Sequence, residues 1–420
     1  MRRRTPPSST PAARLEEGVL SFLAAREEAL LELVRDLVAT PSPNPPGDER
    51  RVAGVAEQAM SAAGYSGLHR VALAEERPNL IGQVGSSPPV LMLNGHLDTK
   101  PPGELSAWES GPFEPAIRNR RLYGLGATDM KGAVAAIIFA GAALAHVGLA
   151  RGTFKVALTA DEEAGSRFGA RFLAGRSELA ADAVIVCEPT GMAAPWAYLA
   201  IASRGIACYR VSVRGTQMHS SLSDQVPSVN ASVKLAGVLT RMATEFRPSH
   251  PHGGGASAGA TVNLGVTLSG GLFFGIYPGQ AEFGIDVRTV PGMTAGGLRA
   301  DFEAFLATLR GEDPDLDVSI DAVPELEWFP PSAVDVGHPL VAAARQAGAA
   351  VLGREIVLGT MPAFTDGTHW HLAGIPCIPA FGPGSLLLAH QPNESVGLDE
   401  VLQAARIYAL TALRFFAAGG

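Results

Sequence analysis

Short apolar runs that alternate with helical stretches constrain the fold of this 420-residue chain more than any other feature. Four strand-like runs occupy the first half of the chain, at residues 79–84, 90–93, 154–159 and 183–186. Helical stretches lie at 15–39, 48–63, 132–149 and about 166–177. Strands that alternate with helices are typical of an α/β fold. We therefore predict an α/β domain whose sheet carries helices on both faces.

The sequence pattern changes near Ile201. An alternating strand at 206–213 is followed by a helix at about 227–245 and a Gly-rich loop at 251–255. Two strands come next, at 261–268 and 280–287, and then a second helix at about 295–310. A β-α-β-β-α-β order over about 120 residues is that of a small ferredoxin-like domain. We therefore predict an inserted ferredoxin-like α+β domain at 201–320.

The predicted division of the chain has three parts. Residues 1–14 are treated as a disordered tail, residues 15–200 and 321–420 as the first domain, and residues 201–320 as the inserted domain. The returning segment is expected to add a helix, a Gly/Pro-rich strand and a closing helix, at 337–352, 375–381 and 398–416.

Composition limits the class of protein. A hydrophobic share of 47% is enough for sizeable cores, and the net charge of −8 disfavours a nucleic-acid partner, because phosphate binders carry basic patches. The cysteines Cys187, Cys208 and Cys377 lie in apolar, strand-like contexts without C-x-x-C spacing. We expect them to be buried, reduced thiols in a cytoplasmic protein.

The apolar stretch at 132–150 raises the alternative of a membrane protein, since it meets the roughly 18-residue criterion for a spanning helix. Ala and Gly dominate it, it contains His146, and it directly follows Lys131. A helix buried between a sheet and its neighbours fits these features better. The basic residues 2–4 are not followed by an apolar segment of signal-peptide length, so we expect neither a signal peptide nor a membrane partner.

A His-x-Asp pair stands where the apolar run 90–93 ends. Residues 94–99 read Asn-Gly-His-Leu-Asp-Thr, which places His96 and Asp98 at this point. Imidazole is a suitable ligand for zinc and similar ions, and an Asp two residues away can orient the ring. A single pair of this kind would more simply be coincidence, but further acids follow at strand and helix ends.

Asp129 lies in a Gly-rich loop, residues 124–132, that leads into the apolar helix. One Asp that bridges two cations holds them about 3.5 to 4 Å apart, so that both can polarise one water. Taken by itself, Asp129 could equally well be an N-cap of that helix.

The apolar run 154–160 leads into three acids, Asp161, Glu162 and Glu163. Adjacent carboxylates repel one another, and a cation would offset that repulsion and leave one acid free as a general base. A solvated acidic turn is the alternative. The same pattern recurs where the run 183–186 reaches Glu188, and ligands of open α/β sheets bind at such strand ends.

His390 follows a Gly-Pro-Gly segment and by itself would be read as an exposed loop residue. Five motifs are considered together, at residues 94–99, 123–132, 161–163, 187–190 and 390–394. In sequence and order they resemble the motifs of the M20 family of metallopeptidases and amidohydrolases. More narrowly, they resemble its branch of acetylornithine deacetylases and succinyl-diaminopimelate desuccinylases. The resemblance covers the chain after about residue 15. It implies a zinc-exopeptidase-like catalytic domain, with a mixed sheet flanked by helices, and a homodimer in which 201–320 is a lid and dimerisation domain.

The family pattern also implies the roles of the motif residues. His96 and Glu188 would hold one metal ion, Glu163 and His390 the other, and Asp129 would bridge them. Glu162 would be the general base, and Asp98 would assist catalysis behind His96. Zinc is the leading candidate for both ions, with cobalt or manganese as alternatives.

Three residues of the inserted domain are assigned by the same resemblance. His219 would reach the active site of the partner subunit and stabilise an oxyanion, and Arg288 would hold a substrate carboxylate with Asn263 as a weaker companion. An ordinary surface His and ordinary lid residues are the alternatives.

These motifs predict a metal-dependent hydrolase that cleaves the amide bond of a small-molecule N-acyl amino acid. A carboxypeptidase or dipeptidase acting on short peptides is the main alternative, because the same site needs only an amide and a nearby carboxylate. By the same resemblance, Glu188 stands where aminopeptidase-like relatives carry Asp, which favours an acylase or a carboxypeptidase. A non-catalytic binder with the same fold would have lost the base or a ligand, and all those positions are intact.

The segment 364–370 departs from the family pattern. It reads Phe-Thr-Asp-Gly-Thr-His-Trp, whereas desuccinylase-type relatives carry a Gly-rich turn that ends in Arg. The missing basic residue disfavours a succinyl or diacid substrate. Thr365 and Asp366 are expected to border the pocket, while His369 and Trp370 either narrow it or pack.

Overall fold

The computed structural model describes residues 10–250 and 259–419. Its helices are α1 (Pro11–Ala24), α2 (Glu27–Val38), α3 (Arg50–Ala62), α4 (Gly132–Val147), α5 (Ala170–Leu173), α6 (Ala231–Glu245), α7 (Ala295–Glu312), α8 (Pro339–Leu352), α9 (Gly367–Leu372) and α10 (Leu398–Ala418). Its strands are β1 (Ser66–Ala72), β2 (Pro78–Val84), β3 (Val90–His96), β4 (Ala116–Arg118), β5 (Arg121–Tyr123), β6 (Thr153–Thr159), β7 (Ala183–Val186), β8 (Pro189–Gly191), β9 (Leu199–Ser203), β10 (Gly205–Arg214), β11 (Met218–His219), β12 (Thr261–Gly270), β13 (Ile276–Tyr277), β14 (Gln280–Thr289), β15 (Asp317–Ala322), β16 (Ser332–Ala333), β17 (Leu358–Met361), β18 (Cys377–Ile378), β19 (Gly382–Ser385) and β20 (Ser395–Gly397).

The described chain divides into two compact units. The first unit comprises the chain up to Ala202, residues 333–361 and the chain from Thr365 onward. The second unit comprises residues 203–332 and 362–364.

A six-stranded mixed sheet forms the centre of the first unit, with strand order β1-β2-β6-β3-β7-β18. β1, β2 and β6 pair antiparallel, whereas β6, β3, β7 and β18 pair parallel. The predicted α/β class with a mixed sheet is therefore confirmed.

Both faces of this sheet are buried. Along β3, Leu91 and Leu93 belong to the larger core, which includes α4 and α10, whereas Met92 between them belongs to a smaller core that includes Trp370. Alternate residues of a strand point to opposite faces, so a strand buried on both faces is apolar without interruption. This explains why the central strands read as continuous apolar runs.

Two helical segments are long and apolar enough to span a membrane by length and composition, Ala127–Val147 and Leu398–Ala418. In their most apolar windows, 78% and 67% of the residues are buried within the protein. Packing in the core accounts for their composition, as the sequence predicts for the stretch at 132–150.

The second unit is a four-stranded antiparallel sheet with strand order β12-β14-β10-β15. In chain order this is 2-3-1-4, the arrangement of a ferredoxin-like fold. Helices α6 and α7 cover one face, where Leu235 and Phe302 pack against strand residues such as Val211 and Phe283. The predicted ferredoxin-like α+β fold is confirmed.

Several predicted elements differ in extent. The helix expected at 15–39 is two helices, which separate at Ala25 and Arg26, and β3 continues past Leu93 to His96. The helix expected at 166–177 is reduced to α5, which Gly169 and Gly175 flank, because glycine disfavours helix at both ends of the segment. The strand expected at 375–381 is limited to β18, since Pro376 and Pro379 cannot donate to a ladder.

The predicted tail lies partly within the described residues. α1 begins at Pro11, and the Thr10 hydroxyl caps it by accepting the Ala13 N–H at 3.2 Å, so residues 11–14 are helical. Residues 1–9 of that tail, and the loop expected at 251–255, lie outside the described residues. The three cysteines are free thiols, as predicted; Cys187 and Cys377 are buried and Cys208 is half-buried.

Candidate active site

Parallel strands bring titratable side chains to one edge of the first unit's sheet. β3 ends at His96, β6 leads into the turn at 161–163, and β7 leads to Glu188. In the ladder, His96 lies beside Thr159 of β6, which fixes the relative position of the two strand ends. Since parallel strands end at the same edge, these side chains converge there.

Asp129 reaches the same place from the turn that precedes α4. Its backbone is not helical, with φ −128° and ψ 87°, and the N-cap position of α4 is Lys131. Asp129 therefore does not cap this helix, which removes that alternative. The backbone N–H groups of Thr128 and Asp129 donate to Glu394 Oε1 at 2.9 and 3.1 Å.

The two carboxylate oxygens of Asp129 face two different imidazoles. Oδ1 lies 3.0 Å from His96 Nε2, and Oδ2 lies 3.2 Å from His390 Nε2. His96 Nε2 is also 3.5 Å from Glu188 Oε1, and His390 Nε2 is 3.0 Å from Glu163 Oε1. Asp129 thus stands between two His-carboxylate pairs.

Two groups of side chains in the described chain could each hold a metal ion: His96, Asp129 and Glu188, and Asp129, Glu163 and His390. Within each group the ligand atoms lie within 4.8 Å of one another. Imidazole and carboxylate donors suit zinc and similar divalent cations, and one carboxylate shared between two groups suits a pair of them. The donor set therefore fits two divalent cations.

The electrostatics of the two imidazoles reflect the negative charge around them. Burial opposes protonation, but hydrogen bonds to Asp129 and Glu188 raise the pKa of His96 well above its ordinary value. Partial desolvation likewise opposes protonation of His390, whose side chain is 45% exposed, yet hydrogen bonds to Asp129 and Glu163 raise its pKa to about 10. A position that favours a proton this strongly also favours a cation.

The pKa values of the acids in the site are also shifted by burial and by the neighbouring negative charges. Burial and the charge of Asp129 raise the pKa of Glu188 to about 7. Burial, with Glu188 close by, raises the pKa of Glu162 well above its ordinary value. Positive charge placed among these carboxylates would relieve both effects.

Asp98 is buried and connects His96 to the acidic turn. Its Oδ1 accepts the Glu162 N–H and its Oδ2 accepts the Glu163 N–H, both at 3.2 Å. The nearest partner of His96 Nδ1 is the main-chain carbonyl of Asp98 at 3.0 Å, whereas the carboxylate Oδ1 is 3.6 Å away. The carboxylate of Asp98 therefore holds the turn more closely than it holds the imidazole.

A comparison with protein families decides the identity of this arrangement. The model of peptidase family M20/M25/M40 matches residues 92–414, which include all five motifs. The chain belongs to the M20 peptidase family. It is accordingly a hydrolase that acts on amide C–N bonds, as the sequence predicts.

A relative is similar to the chain in sequence, and two solved structures are similar to it in fold. The M20 chain is 31% identical, over 90% of its length and 97% of the relative's, to a succinyl-diaminopimelate desuccinylase of Stenotrophomonas maltophilia. Its fold is similar to that of the di-peptidase Dug1p from Saccharomyces cerevisiae, with TM-score 0.74, 15% identity and coverage of 96% and 98% of the two chains. It is also similar to the metallo-carboxypeptidase Sso-CP2 from Sulfolobus solfataricus, with TM-score 0.71, 19% identity and coverage of 92% and 99%.

The other predicted site residues of the M20 chain lie in the second unit. His219 is exposed at the end of β11, and its Nδ1 accepts the Ser221 N–H at 3.3 Å. Arg288 on β14 donates to Asp286 at 2.9 Å, and Asn263 on β12 pairs in register with Asp286. Arg288 and Asn263 therefore share the sheet face opposite the one that α6 and α7 cover.

Two features of the site are not evident from the motifs. Lys100 Nζ lies 3.2 Å from Glu163 Oε2. The only indication of this contact in the sequence is that Lys100 follows His96 by four residues. Trp370 is fully buried in the smaller core and donates to Asn94 Oδ1 at 3.0 Å. Trp370 therefore packs behind β3, which resolves the alternative between packing and narrowing a pocket.

Proposed function

We propose that this M20 hydrolase cleaves the amide bond of an N-acyl amino acid, releasing a carboxylic acid and a free amino acid. The observation that supports this most strongly is the carboxylate of Asp129, which presents one oxygen to each of two His-carboxylate pairs. Glu162 adjoins both groups without belonging to either, as expected of a general base.

Two divalent cations, with zinc first and cobalt or manganese as alternatives, are proposed to bind at these groups. His96 and Glu188 would hold one, Glu163 and His390 the other, and Asp129 both. When bound, the cations supply a polarised amide carbonyl and a water of lowered pKa.

The chain's own groups would then move protons and bind charge. The Glu162 carboxylate accepts a proton from the attacking water and returns it to the leaving amine nitrogen. In a homodimer, with the second unit as lid and dimerisation domain, His219 of the second copy would donate to the developing oxyanion. Arg288, with Asn263 beside it, would hold the substrate carboxylate.

The acyl group is the finer question. The desuccinylase relative at 31% identity favours a succinyl group, whereas the missing basic residue in segment 364–370 disfavours it. Trp370 and His369 are buried, and we propose that these two residues do not select the acyl group, which weakens the case against a diacid. We therefore include succinyl substrates beside acetyl ones, and dipeptides for the peptidase alternative.

The test is release of a primary amine from N-acetyl, N-succinyl, N-formyl and N-carbamoyl amino acids and from dipeptides. Each compound is assayed with zinc or cobalt, with chelator, and with Glu162→Gln. We expect turnover that chelator abolishes and that Glu162→Gln lowers by about 10²- to 10⁴-fold, the usual contribution of a general base.

The control is Glu75→Gln, which makes the same chemical change on an exposed side chain. It should retain wild-type turnover. If the metal-loaded protein releases amine from no compound, or if Glu162→Gln is as active as Glu75→Gln, the proposed function is wrong.

A further inference from the structure

A buried charge cluster lies behind the turn that carries Glu162 and Glu163. Arg77 donates from Nε to Glu49 Oε2 at 2.7 Å and from Nη2 to Glu49 Oε1 at 2.9 Å. The same Nη2 donates to Asp161 Oδ1 at 2.9 Å. The side chains of Arg77, Glu49 and Asp161 are no more than 7% exposed, so little water competes for these bonds.

Asn44 joins this cluster to Asp98. Its Nδ2 donates to Asp161 Oδ1 at 3.0 Å and to Asp98 Oδ2 at 2.8 Å. Asp98 in turn accepts the N–H groups of Glu162 and Glu163. A continuous chain of hydrogen bonds therefore runs from Glu49 to the backbone of the acidic turn.

The cluster also fixes the residue with which the turn begins. Asp161 has φ 68°, in the left-handed region that residues with a Cβ rarely adopt. Its second carboxylate oxygen, Oδ2, accepts the Phe168 N–H at 3.1 Å, so Asp161 is held from both sides. The direction in which Glu162 and Glu163 leave β6 depends on this conformation.

We propose that Arg77 and Asn44 are positioning residues, which act through Asp161 and Asp98 to aim the Glu163 carboxylate at the group with His390 and the Glu162 carboxylate at the substrate. The part that concerns Glu162 rests on the proposed function. The part that concerns Glu163 is independent of turnover, because it is a statement about metal affinity.

A purely structural role would leave a different signature. A buried ion pair adds little net stability over apolar packing, so stability alone does not require one here. Groups that orient metal ligands, by contrast, change metal affinity or activity by about 10- to 100-fold when they are removed. Glu163 belongs to only one of the two metal groups, so the loss should fall mainly on one of two metal equivalents.

The test compares Arg77→Lys with Arg414→Lys. Arg414 forms the same two-pronged pair with Glu16, at 2.8 and 2.9 Å, between α10 and α1. Zinc is titrated into the metal-free full-length chain against a competing chelator dye, and kcat and KM are measured for the zinc-loaded enzyme. For Arg77→Lys we expect one zinc equivalent to bind about 10- to 100-fold more weakly and kcat to fall with KM within about twofold, while Arg414→Lys changes neither.

Asn44→Ser provides a second variant if Arg77→Lys does not fold. It should weaken the same zinc equivalent, because the shorter Ser hydroxyl has one proton and cannot donate to both Asp98 and Asp161. Wild-type zinc affinity of both equivalents in the folded variants, or a loss equal to that in Arg414→Lys, would overturn the proposal. A wild-type chain that binds zinc without turnover would refute the proposed function alone, and the ratios of zinc affinity would still decide the role of the cluster.

Discussion

At the scale of single residues, Asp129 shows how one side chain becomes available to two groups. An acid at the start of an apolar helix would ordinarily accept backbone N–H groups of the first turn. Here Asp129 lies before α4, whose N-cap position is Lys131, and its own backbone is not helical. Both oxygens of Asp129 are consequently directed at imidazoles, one at His96 and the other at His390.

His369 gives a prediction about pH. It is buried on α9, and burial, assisted by the charge of Arg171, lowers its pKa to about 4. An unfolded His has a pKa near 6.5, so the fold favours the neutral ring; its contribution to stability is complete above about pH 6.5 and is lost as the pH falls toward 4. His369→Gln should remove this dependence, which amounts to at most about 3 kcal/mol across that interval.

The free energy of unfolding is measured by urea titration at several pH values from about 4 to 7, a range set by these two pKa values. The slope for His369→Gln should be shallower than for the wild type. His69→Gln, on the exposed face of β1, is the control and should keep the wild-type slope. Equal slopes for all three proteins would show that His369 does not resist protonation in the folded state.

At the scale of elements, the end of β6 is held by a close backbone contact. A Cβ atom added to Gly169 would lie only 1.9 Å from the main-chain oxygen of Ala160, which is a steric clash. A Cβ atom added to Gly175 would have no other atom within 4 Å. Gly169→Ala must therefore displace either α5 or the strand end that leads to Glu162, at a cost of about 1 to 3 kcal/mol.

Thermal or urea unfolding of Gly169→Ala and Gly175→Ala measures this cost with the same chemical change a few residues apart. Gly175→Ala should leave the stability within about 0.5 kcal/mol of wild type. If both variants are equally stable, the segment after β6 adjusts freely, and the acidic turn is not constrained from this side.

The elements that the sequence predicted well are those with strong periodicity or uninterrupted burial, such as β7 and α4, whose runs begin and end at clear breaks. The positions of the strand ends could also be anticipated, since parallel pairing brings His96 and Glu188 to one edge. The contacts of Asn44 and Arg77 could not be anticipated from the sequence. Asn44 binds Asp98, 54 residues away along the chain, and Arg77 binds Asp161, 84 residues away. Periodicity carries no information about such pairs.

At the scale of the whole molecule, the two units have separate cores. The first unit contains all the candidate metal ligands, and the second unit has its own core around Phe302, which stacks on Phe246 at 4.5 Å. A core of its own allows a unit to unfold as a cooperative whole. Residues from both ends of the chain build the first unit, around the inserted second unit in chain order.

Removal of metal should therefore affect the two units unequally. A ligand that binds only the folded state stabilises it by about 2.7 kcal/mol when its concentration is 100 times its Kd. In calorimetry we expect chelator to lower the midpoint temperature of one unfolding transition, as this loss of stabilisation requires, and to leave the midpoint temperature of the other transition unchanged. Glu188→Gln, which removes a candidate ligand, should reduce the effect of chelator on that same transition.

Phe302→Ala identifies the second transition. The substitution removes a fully buried ring from the second unit, which lowers the free energy of unfolding by about 3 to 5 kcal/mol. A phenylalanine side chain has no group that could bind metal. It should lower the transition that chelator leaves unchanged. A single transition that both chelator and Phe302→Ala displace would instead mean that the two cores unfold together, and that metal bound in one unit stabilises the other.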